Sequence, residues 1–273
     1  MRTFWPRWLQ EPAIRPLKLN PSILKPAGDE PMFLRKRKTS DLPINDVFGE
    51  KLLRCFNDPS DYGVHQLFND WWSQAPESVI TEYARDFDES EAQKAFYNDE
   101  FLAPKVSMET LKSFKPGTLG RGFHDFISNN GLEENIARNY KMLHDMMKLT
   151  GKLRTMPENM QYQVIRGFQL HDILHVLTGY EATGEGEIAL QAFCLAQFRF
   201  PYFAMWMSVI TTRVAMIEPE LIDTMMTAIT DGWSYGKRAR NIQFEKWETR
   251  LDEPLADLRR EFGLDCDRFG LAA

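Results

Sequence analysis

Val164-Ile165-Arg166-Gly167-Phe168-Gln169-Leu170-His171-Asp172-Ile173-Leu174-His175-Val176-Leu177-Thr178-Gly179 is the stretch from which the fold is read. Val164, Ile165, Phe168, Ile173, Leu174 and Leu177 recur at the spacing of one helical face. Upstream, Thr155-Met156-Pro157-Glu158 predicts the helix start, with Thr155 as cap, Glu158 closing a capping box and proline in the first turn. Gly179 predicts its end. His171 and His175 are four apart, so their rings stack on one face, and Asp172, three before His175, flanks it. The stripe continues through Val164 and Phe168, which predicts that this face points inward.

Gly179 to Gly186 reads as a loop, and a second apolar helix opens near Glu187 with Ile188, Ala189, Leu190, Ala192, Phe193, Leu195 and Ala196. Helices joined by a short loop tend to lie antiparallel, which brings Glu187 level with His175. Two imidazoles and two carboxylates within seventeen positions are a metal ligand set. A core network of mutually satisfied polar groups is the alternative that spacing leaves open. Buried charge without a partner is costly, which favours the metal. His124-Asp125 and His144-Asp145 lack a second histidine four residues on and read as surface or capping pairs. A phosphohydrolase set of His144, His171, Asp172 and Asp231 leaves His175 and Glu187 without a task.

The same periodicity predicts helices over Asp46–Phe56, Asp61–Trp72, Pro76–Ala84, Glu89–Asn98, Thr118–Ser128, Glu133–Leu149, Glu220–Ser234 and Gln243–Phe262, with a linker over Phe101–Phe114. No strand alternation and no repeat occurs, so the expected class is all-α: one helical domain over 46–273 behind an irregular, proline-rich, basic arm over 1–45. The apolar run Phe200 to Thr212 is too short to span a bilayer, which takes about twenty residues. It reads as a core helix, or as a cavity wall or a lipid-facing surface.

At 273 residues the chain can bury a full core, and 43% hydrophobic with 26% charged residues is ordinary for a globular protein. Cys55, Cys194 and Cys266 are too few and too scattered for a disulfide framework, which suits a reducing compartment. Net charge is −6, yet residues 1–40 hold nine Arg and Lys against three acids, including Arg35-Lys36-Arg37-Lys38. That quartet is a solvated tail or an anionic-lipid contact. The acidic remainder argues against nucleic acid. The N-terminus has no apolar signal core, and Pro6, Glu11, Pro12 and Pro16 interrupt an amphipathic presequence, which leans toward a bacterial cytoplasmic protein.

His171, Asp172, His175 and Glu187 form His-Asp-x-x-His-x11-Glu, which resembles the motif of the coenzyme Q biosynthesis protein 4 family. Pro116-Gly117-Thr118-Leu119-Gly120 with Arg121, preceded by Met108-Glu109-Thr110-Leu111, resembles a second family segment. Gly236-Lys237-Arg238-Ala239, Trp247-Glu248 and Leu258-Arg259-Arg260-Glu261-Phe262-Gly263-Leu264 resemble a third. The likeness runs from about residue 55 to 265, with extra residues around Pro254 and nothing recognisable in the first fifty.

The resemblance implies an all-helical fold and a divalent metal held by His171, Asp172, His175 and Glu187: zinc first, with iron or manganese also suited to a mixed nitrogen and oxygen set. The implied reaction is oxidative decarboxylation at ring carbon C1 of a polyprenylated 4-hydroxybenzoate-type acid. The alternative is a non-catalytic prenyl-lipid-binding scaffold for a quinone-biosynthesis complex. Arg121 is the expected carboxylate clamp and Glu185 the expected base. Lys237 and Arg238 are expected at the substrate head group, and Phe203 and Trp206 along its tail. Implied partners are the prenylated acid, other quinone-biosynthesis proteins, a peripheral membrane contact and a homodimer. The place would be the cytoplasmic membrane of a bacterium, or the matrix side of the mitochondrial inner membrane in a eukaryote.

Overall fold

The computed structural model describes residues 45–59, 61–72, 74–87, 91–150 and 156–264. The basic arm, Thr155 and Cys266 lie outside these. The described residues are all-α: thirteen α-helices, two short 3-10 turns and one isolated bridge between Thr118 and Pro254. In order they are α1 (Asp46–Asn57), α2 (Val64–Trp71), α3 (Glu77–Asp86), α4 (Glu91–Asp99), α5 (Met108–Ser113), α6 (Leu119–Asn130), α7 (Glu133–Ile136), α8 (Tyr140–Thr150), α9 (Glu158–Thr178), α10 (Gly184–Gln197), α11 (Pro201–Ile217), α12 (Ile222–Arg238) and α13 (Leu255–Phe262).

The main core joins α6, α9, α10, α12 and α13 through Phe123, Ile127, Leu170, Leu174, Phe193 and Trp247, among others. A second, aromatic core gathers Phe68, Trp72, Phe87, Phe96, Tyr162 and Phe200 around the start of α9. A third seats α1 and α2 on α11 through Cys55, Leu67 and Val209. Cys55 and Cys194 are buried free thiols, and burial pushes both up to about 12, so neither is a ready nucleophile.

Helices α10 and α12 pack backbone to backbone. A Cβ on Gly232 would lie 2.0 Å from the Ala189 carbonyl oxygen, and one on Gly236 would lie 2.5 Å from that of Phe193. The matched order of these pairs means the two helices run the same way, with α11 returning between them.

Four expectations need correction. The predicted helix over Glu133–Leu149 is two, because Asn139 starts a new one by accepting from the Met142 amide at 3.0 Å. The linker over Phe101–Phe114 contains α5, capped by the Ser107 hydroxyl. The last helix is only Leu255–Phe262, since Pro254 sits at its N-cap and the stretch before it bonds elsewhere: Gln197 accepts from the Ile242 amide and donates to the Arg240 carbonyl. The stripe expected to point inward is half true, because Phe168 is 44% exposed.

Candidate metal centre

Helix α9 ends where expected: Gly179 adopts the left-handed conformation, φ 74°, and donates its N–H to the His175 carbonyl at 2.8 Å. Helix α10 starts three residues before Glu187 because Thr183 caps it, accepting from the Gly186 amide at 3.2 Å. The loop folds so tightly onto this first turn that a Cβ on Gly186 would meet the Glu181 carbonyl oxygen at 1.9 Å. Glycine is therefore required beside Glu187. The result brings α9 and α10 together at their loop ends.

There His175, His171 and Glu187 converge. His175 Nε2 lies 3.1 Å from Glu187 Oε1 and 3.3 Å from His171 Nε2, and His171 Nε2 lies 3.3 Å from Glu187 Oε2. His175 is fully buried, Glu187 nearly so, and the His171 side chain keeps 24% of its surface open. The donor atoms of the three all fall within 4.8 Å of one another.

The tautomer of His175 decides what this cluster is. Its Nδ1 lies 3.0 Å from the Tyr180 carbonyl oxygen, which can only accept, so Nδ1 carries the proton. In the neutral ring Nε2 then presents a lone pair, and it faces a carboxylate and a second imidazole. Acceptors so placed repel unless a proton or a cation lies among them. A nitrogen and oxygen donor set with its second ring nitrogen tied to a carbonyl is the arrangement of metal-binding histidines. The residues therefore fit a divalent cation. In the metal-free protein a proton serves instead: burial alone would lower His171, but the charge and hydrogen bond of Glu187, with Asp172 adding, raise it to about 9. Burial likewise opposes ionisation of Glu187, and the two histidines override it and hold its carboxyl far below the usual range.

Asp172 is not brought into this group. Successive helix residues point about 100° apart, so it turns toward α7. Its Oδ2 accepts from Asn135 Nδ2 at 2.9 Å, while Oδ1 is buried with no hydrogen-bond partner among the described residues. Arg121, on α6, pairs with Asp125 at 3.1 Å. Glu185 is exposed on the first turn of α10. Lys237 and Arg238 stand at the far end of α12, where Lys237 lies over the Trp233 ring and Arg238 donates to Ser234. Gly236 beside them meets Phe193, six residues and roughly 9 Å of helix beyond Glu187. Phe203 and Trp206 are half-buried and pack against the cores. The apolar groove between α10, α11 and α12, of about 290 Å³, is lined instead by Leu195, Met207, Met226 and Trp233. His144 is buried against Tyr162, and Asp231 accepts from the Tyr180 hydroxyl at 2.7 Å, so the phosphohydrolase set does not assemble.

Sequence reasoning missed the supports. Phe126 of α6 stacks on His175, ring centroids 5.1 Å apart. Asn135 holds Asp172, and Tyr180 ties the loop to α12 through Asp231. Phe126 falls on the apolar face of α6 and carried a packing signal only. Asn135 and the Tyr180 carbonyl carried none.

The family model for Coenzyme Q (ubiquinone) biosynthesis protein Coq4 matches residues 99–267. The chain is similar to the mitochondrial ubiquinone biosynthesis protein coq4 of Botryotinia fuckeliana, 26% identical over 162 residues, covering 59% of this chain and 52% of that one. It is similar to coq-4 of Neurospora crassa, 27% identical over 162 residues, covering 59% and 42%. With the mitochondrial COQ4 homologue of Nematostella vectensis it shares 24% over 165 residues, covering 58% and 71%. The chain spans about half the length of the fungal relatives. A crystal structure from Nostoc punctiforme, described as a candidate ubiquinone biosynthesis protein, has the same fold: TM-score 0.62 and 22% identity, over 80% of this chain and 95% of that one.

Proposed function

The chain belongs to the coenzyme Q (ubiquinone) biosynthesis protein Coq4 family, and from that premise we propose that it is a metal-dependent oxidative decarboxylase of ubiquinone synthesis. The substrate in this reading is a polyprenylated 4-hydroxybenzoate-type acid: the C1 carboxyl leaves as carbon dioxide and a hydroxyl takes its place. The change is a two-electron oxidation, and with dioxygen as the oxidant it balances as acid, dioxygen and water giving the phenol, carbon dioxide and hydrogen peroxide. The observation that carries the reading is the buried convergence of His175 Nε2, His171 Nε2 and the Glu187 carboxylate within 3.3 Å, with the other ring nitrogen of His175 tied to the Tyr180 carbonyl.

His171, His175 and Glu187 would hold the metal, and Asp172 is kept as a fourth donor because its Oδ1 is buried and unpartnered. A bound zinc ion, or iron or manganese, would supply Lewis acidity toward the phenolate or carboxylate. Tyr180 and Phe126 fix the His175 ring from two sides. Arg121 is proposed to trade Asp125 for the substrate carboxylate. Glu185, exposed two residues before Glu187, is proposed as the base. Phe203, Trp206 and the groove between α10, α11 and α12 would take the prenyl tail, with Lys237, over the Trp233 ring that lines the groove, and Arg238 meeting anionic groups. The arm over 1–45 is proposed as a separate extension of the helical domain 46–273. No helix among the described residues is long and apolar enough to cross a membrane. The proposed place is therefore peripheral, beside other quinone-biosynthesis proteins: the matrix side in a eukaryote, as the mitochondrial relatives suggest, or the cytoplasmic membrane of a bacterium.

A scaffold is the second reading, favoured by the few direct contacts between α9 and α10, whose loop ends a metal at the cluster would clamp. His175→Ala separates the two. For the enzyme, the variant purifies folded, loses its metal by elemental analysis, and cells relying on it accumulate the carboxylated prenyl ring. Undiminished ubiquinone from a folded, metal-free variant would leave the scaffold.

A further inference from the structure

Helix α8 is turned inside out. It buries Tyr140 and His144 and exposes Met142 at 56%, Leu143 at 38%, Met146 at 52% and Leu149 at 88%. Positions 142, 146 and 149 form one stripe, the stripe a helix on a globular core normally hides. A contiguous apolar patch of this kind marks contact with a protein or a membrane. On the neighbouring helix α9, Phe168 is also exposed, at 44%, and its carbonyl accepts from the Tyr140 hydroxyl of α8 at 3.5 Å. Phe168 precedes His171 by three residues, on the same face, and His171 is the most open of the three metal donors.

We propose that the outward face of α8, together with Phe168, is the surface on which this chain rests against an anionic lipid membrane, with the metal centre opening beside it. Charge selects the occupant. Over 138–149 the charged residues are Arg138, Lys141 and Lys148 against Asp145, a net +2 in a chain of net −6. Basic residues interleaved with exposed methionine and leucine are the pattern of an interfacial helix, with lysine stems lying along apolar surface and their heads in the lipid phosphate layer. Lys148 pairs with Glu100 at 2.8 Å and Lys141 with Asp145 at 3.5 Å, but exposed pairs of this sort are weak and yield to a phosphate layer. A second copy fits worse, because a two-fold contact would bring two net-positive faces together. The placement rests on the metal-enzyme reading for its purpose: a prenylated acid leaving the bilayer would meet His171 without crossing water.

The test is co-sedimentation of the full chain with phosphatidylcholine vesicles, with and without phosphatidylglycerol. Wild type is expected to bind the anionic vesicles, and less so in high salt. M142E/M146E is expected to lose about tenfold or more in apparent affinity while keeping its melting temperature and metal content. M216E makes the same change at a residue 72% exposed on α11 and is expected to bind as wild type. If the double acidic variant does not fold, M142Q/M146Q replaces it with the same expected direction. Wild-type binding by the α8 variants, equal loss in M216E, no vesicle binding by wild type, or loss of self-association with vesicle binding intact would each overturn the proposal. His175→Ala is expected to bind vesicles normally, so the docking surface and the metal reading fail separately.

Discussion

Helix α9 carries two buried charged clusters, and they are finished in opposite ways. Near its middle the Arg166 side chain has no exposed surface, and four of its five donors are matched to acceptors: Nη1 to Gln169 Oε1 at 2.7 Å and Glu248 Oε1 at 2.5 Å, Nη2 to Glu248 Oε2 and the Glu245 carbonyl, both at 2.9 Å, which leaves Nε alone without a hydrogen-bond partner among the described residues. The ion pair with Glu248 is made within the protein, and its product is the docking of the 245–248 segment. One turn and a half further on, His171, His175 and Glu187 bring two imidazoles and a carboxylate together, and in the metal-free protein only a proton holds them. A buried network closed by a fixed guanidinium is structure, and one closed by an exchangeable proton can take a cation in its place. Burial alone does not tell the two apart, whereas the balance of donors and acceptors does.

The contrast can be broken in three ways. The largest effect is expected from the pair His175→Ala and Arg166→Met. The first should empty the metal site with a modest change in unfolding free energy. The second should cost about 3–5 kcal/mol, because Glu248 is left buried and unpaired, while metal stoichiometry stays at wild type. Denaturant titration with elemental analysis reads both, and metal loss in Arg166→Met would erase the distinction.

A smaller effect separates the metal-free and loaded proteins by pH. With His171 raised from 6.5 to about 9, its pairing with Glu187 stabilises the metal-free fold fully below pH 6.5, and this is lost as pH rises through about 9. The loss should be on the order of 1–3 kcal/mol, discounted for the open edge of His171. A cation competes with that proton, so its own stabilisation grows over the same range. Melting temperatures with chelator and with added zinc should diverge from pH 6.5 upward, and parallel curves would mean that the cluster binds no metal. The smallest effect concerns Asp172: Asn135→Ala should weaken metal affinity about tenfold with little change in stability. An unchanged affinity would remove Asp172 from the site.

The helix pair of the candidate metal centre was legible because its signals are local: i, i+4 histidines, a glycine stop and a glutamate at the next helix start. The break between α7 and α8 was not, because apolar periodicity runs on across Ala137 and Arg138, and only Asn139, an ordinary cap residue, marks it. The face exposed by Phe168 was misread for a related reason. Spacing reports that a stripe is apolar, and the neighbours that cover it come from elsewhere in the chain. Asp172 was grouped with the histidines by spacing and again by the resemblance, while its actual neighbour, Asn135, is thirty-seven positions away in sequence. The groove lining, split among three helices, had no local signature at all.

The hydrogen-sized gap at Gly232 fixes how α12 can lie on α10, and through Ala189 it fixes where the first turns of α10 stand. Glu187 is two residues from that contact. The reach of its carboxylate to the two rings is thereby gauged from behind, by a residue that touches neither ring. A single methyl group added at position 232 would act as a wedge, shifting one jaw of the vise while leaving all three of its gripping side chains chemically intact.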